Sequence, residues 1–381
     1  MSAAGPPQGA KAPSGGSDPH AVGERGGARH LTVLSVAYPF AAVGPDTVGG
    51  AEQVLGQLDA ALVAAGHRSI VVAGAGSRTA GSLIATEPPA GAITEADRRQ
   101  TWAEHRANVM RALASHDIDL VHMHGVDFHE YLPPPGNVPI LVTLHLPPPW
   151  YPPGVFDVTR RDLHLHCVSW SQHRACPPSP ALLPPIENGV PVDALACAVS
   201  KRRFALTLGR VCPEKNMHVA LEAGHRAGIP LILAGQVFPY EAHERYFREQ
   251  IAPRLDRQRH FIGALSFARK RRLLTAARCL LLPTIAPETS SLVAMEALAC
   301  GTPVIAFPSG AIPEIVEHGI TGFLVRDAAQ MAEAIGACDA INPERCRAVA
   351  HERFALPDMI GKYFDVYDQL ARPRERAAPI G

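Results

Sequence analysis

Two glutamates, Glu288 and Glu296, stand with seven residues between them in PETSSLVAMEALACGTPVIAF, residues 287–307. Leu292, Met295, Ala299 and the alanines among them suit a helix packed on a sheet. Thr289 or Ser290 can cap its start, and Gly301 followed by Pro303 ends it. Residues 304–307 then read as a buried strand. With Glu288 in the loop before the helix and Glu296 in its second turn, a rise of about 1.5 Å per residue sets the carboxylates roughly 12 Å apart along the axis. Each can grip hydroxyls, and between them the exposed N–H groups of the first turn can hold a phosphate. A sugar nucleotide has that layout. Two glutamates at this distance are, by themselves, more often solvated side chains of a surface helix, so the surrounding sequence decides.

Behind the pair come EALACGTPVIA and SGAIPEIVEHGITGFLV. Glu-x7-Glu running into that text resembles the signature of family-4 glycosyltransferases, and with the markers below the resemblance covers nearly everything from residue 30 to about 370. It implies a retaining enzyme of the α/β GT-B fold, two Rossmann-like doubly wound domains facing across a cleft. It also implies that Glu288 serves the sugar and Glu296 the ribose hydroxyls. One departure stands out: where the family often has Gly-Phe-Gly-Leu or Pro-Phe-Gly-Leu, this chain has Thr289, Ser290, Ser291 and Leu292. Losing the glycine limits backbone approach, but the hydroxyls gained can cap the helix or bind phosphate, which leaves the donor sugar open.

Gly209 to Asn216, GRVCPEKN, follows a strand and opens a helix, so Arg210 and Lys215 can converge on a departing diphosphate without a metal. The family carries such an Arg and Lys, and Asn216 stands where glycine is common. Gly49 and Gly50 precede a helix starting Ala51-Glu52, and bare backbone there can approach an anion; in the resembling enzymes this pair contacts donor phosphate or acceptor. His122, His124, His129 and His145 follow strands or lie in nearby loops. They lack a carboxylate triad or HExxH spacing, so they are read as polar side chains rather than metal ligands. The family has a histidine facing the donor sugar; His145 is the best match and His124 the second. The basic run 269–272 reads as a solvated helix face ahead of a contact with anionic lipid.

The elements that must place these residues are legible as well. A chain of 381 residues, 47% of them hydrophobic, can fill two cores. With 36 basic and 36 acidic residues there is no global field to draw nucleic acid or an anionic membrane. The eight cysteines show no CxxC pair, no apolar run reaches bilayer length, and the N-terminus lacks a signal-peptide core. A cytoplasmic protein is expected. Strands at 31–37, 70–73, 118–123, 140–144 and 165–169 alternate with helices, and a second series begins at 204–208 and includes a helix over about 240–255. The expected organisation is a disordered, dispensable tail over 1–29, a first domain over 30–197 on the acceptor side, and a nucleotide-sugar domain over 198–356. A helix over 357–371 crosses back to the first domain, and a flexible tail spans 372–381.

The resemblance implies a metal-independent transfer of a hexose from a nucleoside diphosphate sugar to an acceptor, with no further cofactor. The acceptor is a small molecule, a saccharide or a lipid-linked one, membrane contact is at most peripheral, and no nucleic acid is involved. Glu288, His145, Arg210 and Lys215 are the expected catalytic groups. Gly49, Gly50, Gly209, Thr289, Ser290, Ser291, Leu292 and Glu296 join Arg210, Lys215 and Glu288 in donor binding. A nucleotide-sugar epimerase of the same fold and a non-catalytic sugar-binding protein are the alternatives.

Overall fold

Short apolar runs punctuated by glycine and proline generate the elements in both halves. The computed structural model describes residues 30–89, 91 and 93–372; the tail expected over 1–29, and that over 372–381 beyond Arg372, lie outside the described residues. The first half contains β1 (Thr32–Val36), α1 (Gly50–Ala64), β2 (Arg68–Gly74), β3 (Ser82–Thr86), α2 (Glu95–Ser115), β4 (Leu120–Met123), β5 (Ile140–Leu144), β6 (Leu163–Cys167) and α3 (Trp170–Ala175). Then come α4 (Val192–Leu195), β7 (Ala205–Leu208), α5 (Met217–Arg226), β8 (Leu231–Ala234), α6 (Glu241–Tyr246), β9 (Arg259–Phe261), α7 (Phe267–Ala276), β10 (Cys279–Leu282), α8 (Leu292–Ala299), β11 (Val304–Ala306), α9 (Ile312–Ile315), β12 (Gly322–Leu324), α10 (Ala328–Ala337), α11 (Pro343–Phe354) and α12 (Leu356–Ala371).

The first sheet runs β3-β2-β1-β4-β5-β6 and the second β12-β11-β10-β7-β8-β9, with every pairing parallel. Counted from the start of each half the two orders are identical, so each half is a doubly wound Rossmann-like sheet and the pair forms a GT-B fold. Each order reverses once, between β1 and β4 and between β7 and β10. Ligands of open α/β sheets bind outside the carboxyl ends of the strands at such reversals. The loops after β1, β5, β7 and β10 carry Gly49-Gly50, His145, Arg210–Lys215 and Glu288, so topology alone gathers the sequence candidates.

Helix α12 lies against the first half: Met359, Tyr363 and Tyr367 are buried with Leu31, Val33, Leu58, Leu120 and Leu141. Four features differ from the sequence reading. β3 was unforeseen because it is an edge strand with mostly exposed side chains, so it lacks a burial pattern. The expected helix over 240–255 is α6 followed by a wider π turn and a tight 3-10 turn, where Pro253 supplies no amide. The chain leaves the first core after Ile186 and enters the second at Val190. The alanine-rich stretch near 197, read from composition as the boundary, follows a short helix whose Val192 and Leu195 are already buried in the second half. The fourth difference, the start of α8, concerns the site itself.

Candidate active site

The second half builds its wall from the loops after β7 and β10. Asn216 has φ of 54° and is the only non-glycine with positive φ among the described residues. Asparagine tolerates this left-handed geometry best after glycine, which reconciles it with a position where glycine is common. The turn places Lys215 so that its Nζ forms an ion pair with Glu288 Oε1. The two loops are tied directly, Ile285 N donating to Glu214 O at 3.0 Å. Behind Glu288, Ala311 N donates to its carbonyl at 2.7 Å and Ser309 Oγ to Ala286 O at 2.6 Å. Gly310, with φ of 57°, sits so near that a Cβ would lie 2.2 Å from Glu288 O. The SGA segment of the signature is thus the brace for the first glutamate.

Glu296 is 4% exposed and is met by Lys270 Nζ at 2.5 Å from Oε1. Burial pushes the Glu296 carboxyl up, and Lys270 opposes the rise. This corrects the reading of 269–272 as a wholly solvated face: Lys270 is the partner of a buried carboxylate, and Arg271 Nη1 donates to Ala194 O at 2.9 Å. Capping of α8 by Thr289 or Ser290 is corrected too. The helix begins at Leu292, its cap position is Ser291, and no side chain bonds its first amides. Thr289 instead reaches the other half, its Oγ1 donating to His145 O at 3.0 Å, while Ser290 Oγ is buried without a partner among the described residues.

Across the cleft, His145 follows β5 on a tightly held loop. Tyr151 OH accepts from the amides of His145 and Leu146 at 2.9 and 3.1 Å, and Gln172 Nε2 donates to Leu144 O and Leu146 O at 2.8 and 2.9 Å. Gln172 was not foreseen; its only sequence signal is Ser169 three residues earlier, which caps α3. Burial, with the neighbouring His166, pushes the His145 imidazole down to about 3. Its ring lies 3.2 Å from His124, and His124 lies 3.1 Å from His122. His129 stays outside this group and pairs with Glu130 at 3.4 Å.

Gly49 and Gly50 start α1 as expected, with no side-chain cap. The Glu52 side chain folds back over them, and a Cβ on Gly49 would lie 1.8 Å from Glu52 Oε2. The space expected for an anion therefore already faces one of the protein's own carboxylates. Burial raises the Glu52 carboxyl, while its own amide and the exposed Arg210 pull it down. Gly50 also touches the other half, since a Cβ there would meet Leu292 Cδ1 at 3.6 Å. Two more contacts join the walls: Phe267 N donates to Asp46 Oδ1 at 2.8 Å, and Arg174 pairs with Glu314 at 2.6 Å.

One grouping escaped the sequence reading. Cys212, Glu214 and His243 bring one ligand atom each within 4.8 Å of one another. Arg210 acts on both Cys212 and His243 as a neighbouring positive charge, and burial raises the Cys212 thiol. Two cavities of about 430 and 420 Å3 are lined by Ala196, Cys300 and Arg347, and by Trp102, Arg106 and Glu130, none of them among these wall residues. No helix among the described residues is long and apolar enough to cross a membrane.

Comparison with known proteins agrees with this geometry. The family described as Glycosyltransferase Family 4 matches residues 48–177, and that described as Glycosyl transferases group 1 matches residues 202–338. The chain is 32% identical over 190 residues to alpha-maltose-1-phosphate synthase of Mycobacterium tuberculosis, 44% of this chain and 48% of that protein. It is 30% identical over 164 residues to phosphatidyl-myo-inositol mannosyltransferase of Mycobacterium leprae, 39% of this chain and 42% of that one. The chain thus spans about half the length of the curated relatives it matches. Among solved structures, sucrose-phosphate synthase from Thermosynechococcus elongatus aligns with a TM-score of 0.72 at 19% identity, covering 89% of this chain and 99% of that one. HepE of Anabaena, solved with UDP-glucose, aligns at 0.69 and 19% identity, covering 89% of this chain and 100% of that one. At such identities the likeness concerns the fold.

Proposed function

We propose that this chain, with a glycosyltransferase domain in each half of a GT-B fold, is a retaining, metal-independent enzyme that moves a hexose from a nucleoside diphosphate sugar to an acceptor hydroxyl. The observation that carries the reading is the meeting of Lys215 and Glu288, at the reversal between β7 and β10, with the His145 loop at the end of β5, Thr289 being bonded across the gap. A diphosphate entering there would lie near Lys215, Arg210 and the uncapped start of α8. Lysine has three donors, so Lys215 can keep Glu288 and still bind phosphate. The unpartnered Ser290 hydroxyl can add a further donor. Glu296 would take the ribose hydroxyls on Oε2, Lys270 holding Oε1.

In a front-face reaction the leaving diphosphate accepts the acceptor's proton, so no second carboxylate is needed as base. Glu288 would then lend negative charge to the oxocarbenium-like sugar while Arg210 and Lys215 stabilise the charge that leaves. All eight cysteines are thiols, which supports work in a reducing, cytoplasmic compartment. Peripheral lipid contact would fall to Arg269 and Arg272, the exposed members of the basic run.

The test is a thermal-shift screen of nucleotide sugars, beginning with UDP-glucose because HepE was solved with it. Donor at 100 times its dissociation constant should add about 2.7 kcal/mol of stability. NMR of the product should then show an α-linkage from an α-linked donor, with activity retained in EDTA. A β-linked product would overturn retention. A donor isomerised without any acceptor would favour an epimerase, and activity lost to EDTA and restored by magnesium would overturn metal independence.

A further inference from the structure

Four histidines of the first half form one hydrogen-bonded chain that ends at the cleft. His145 Nε2 lies 3.2 Å from His124 Nδ1, His124 Nε2 lies 3.1 Å from His122 Nδ1, and His122 Nε2 lies 2.7 Å from Thr143 Oγ1. Thr143 Oγ1 is in turn 2.7 Å from His166 Nε2, and His166 Nδ1 is 3.0 Å from the carbonyl oxygen of Cys167. Tyr367 OH, from α12, stands 2.6 Å from His122 Nδ1. His122, His124 and His166 are at most 1% exposed. Burial lowers the proton affinity of all four rings, His166 to about 4 and His145 to about 3, so each is neutral near pH 7.

A neutral imidazole carries one N–H and one lone pair, and a carbonyl oxygen can only accept. The carbonyl of Cys167 therefore sets the first ring: His166 holds its proton on Nδ1 and offers a lone pair at Nε2. The Thr143 hydroxyl must donate to that lone pair, so its oxygen accepts from His122 Nε2–H. His122 Nδ1 is then bare, and its one lone pair is shared by two donors, Tyr367 OH at 2.6 Å and His124 Nε2–H at 3.1 Å. His124 Nδ1 is left bare in turn, and His145 must donate from Nε2. Reversing any one link would set two lone pairs or two N–H groups face to face, and His122, His124, Thr143 and His166 are all buried, a mismatch that proteins avoid.

We infer that this chain fixes the tautomer of His145, turning Nε2–H inward and leaving an unprotonated Nδ1 to accept a hydrogen bond from a substrate hydroxyl, with Thr143, His122, His124 and His166 as positioning residues. Nδ1 has no hydrogen-bond partner among the described residues, and the bonds from Gln172 and Tyr151 to the flanking backbone keep the ring in place. The identity of the hydroxyl rests on the proposed transfer; the tautomer does not.

The experiment uses full-length protein labelled with 15N-histidine, without donor, and reads each ring by long-range imidazole NMR correlations, assigned with His145→Gln and His166→Gln. The expected pattern is Nε2–H for His145, His124 and His122 and Nδ1–H for His166. Thr143→Val, of similar shape but without the hydroxyl, should shift His145 towards a mixture of tautomers, and Thr143→Ser should restore one. With a donor in hand, Thr143→Val should also lower kcat about tenfold, with Thr143→Ser recovering most of it. Nδ1–H on His145 in the unaltered protein would overturn the inference, as would a His145 tautomer unmoved by Thr143→Val. If Thr143→Val fails to fold, the wild-type pattern of the four rings still decides. A failed donor screen beside the expected NMR pattern would sink the proposed transfer and leave the chain standing.

Discussion

Along one stretch of the first-half wall the buried polar side chains are neutral and bonded in series, from Cys167 O through His166, Thr143, His122 and His124 to His145. On the second-half wall they are charged and bonded in pairs, Lys215 with Glu288 and Lys270 with Glu296. The difference shows two ways to keep polar groups in a dry place. A neutral chain avoids the cost of burying charge and gains direction, because one obligate acceptor orients every later proton. A paired charge bears that cost only while its partner is present, and an incoming diphosphate can enter the pairing. The first wall should therefore be sensitive to protonation and the second to removal of a partner.

Acid is the most severe way to break the first wall. His105 joins the four rings of the chain: it is buried, bonded to Thr86 Oγ1 and facing Ala37 O, and burial pushes it down to about 4. A histidine whose folded pKa lies below its unfolded value leaves stability unchanged above about pH 6.5. Below that the unfolded chain binds protons that the native state refuses, at about 1.4 kcal/mol per pH unit for each ring. The loss continues down to the folded values, about 4 for His105 and His166 and about 3 for His145. With five rings, urea midpoints should drop steeply from pH 6.5 and the fold should fail near pH 5, since a domain holds only about 5–15 kcal/mol. Glu296 acts in the opposite sense, because burial raises its pKa and acid relieves it. A urea midpoint constant from pH 7 to 5 would mean that the rings are not held neutral.

Removing one partner is the matching test of the second wall. Lys270→Ala leaves Glu296 buried at 4% exposure without its cation, which should cost about 3–5 kcal/mol by urea denaturation. Lys270→Met with Glu296→Leu should recover most of that loss, because two apolar side chains can replace a buried pair. A double variant as unstable as the single one would show that the two charges do not depend on each other.

The contrast also explains what the sequence disclosed and what it withheld. Glu288, Lys215 and the turn at Asn216 were legible because glycine, proline and charge cluster within loops after apolar strands, and loop order fixes their place. Lys270 was illegible: in a run of four basic residues nothing marks the one that faces inward, and its partner lies 26 residues away. His166 hides in LHLHC, where alternation reads as a strand, and its link to His122 passes through Thr143, the bonded pairs standing 21 and 23 positions apart in the chain. Tyr367 reaches His122 across 245 residues. Local pattern records which face a residue occupies, and only the fold records which atom it meets.

Glu288→Gln sharpens the comparison at the meeting of the two walls. The amide keeps the size and some hydrogen bonding but removes the charge opposite the sugar, so kcat should fall about 100-fold while donor affinity changes less than about fivefold. Lys215, freed from its partner, remains for the diphosphate. Full turnover in Glu288→Gln would remove the carboxylate from its assigned role.

The smallest effect is expected where the walls meet through charge at the surface. Arg174 of α3 and Glu314 of α9 pair at 2.6 Å, but the arginine side chain is 66% exposed, so solvent and salt screen most of the attraction. Arg174→Ala should cost less than about 1 kcal/mol and change donor KM less than about threefold. Thr289 makes the more sheltered crossing, a neutral bond to His145 O at 3.0 Å, and Thr289→Val should cost about 1 kcal/mol and show mainly in KM. The two variants rank the crossings. If Arg174→Ala raised KM tenfold while Thr289→Val left it unchanged, the exposed bridge rather than the loop after Glu288 would be what sets the walls for substrate.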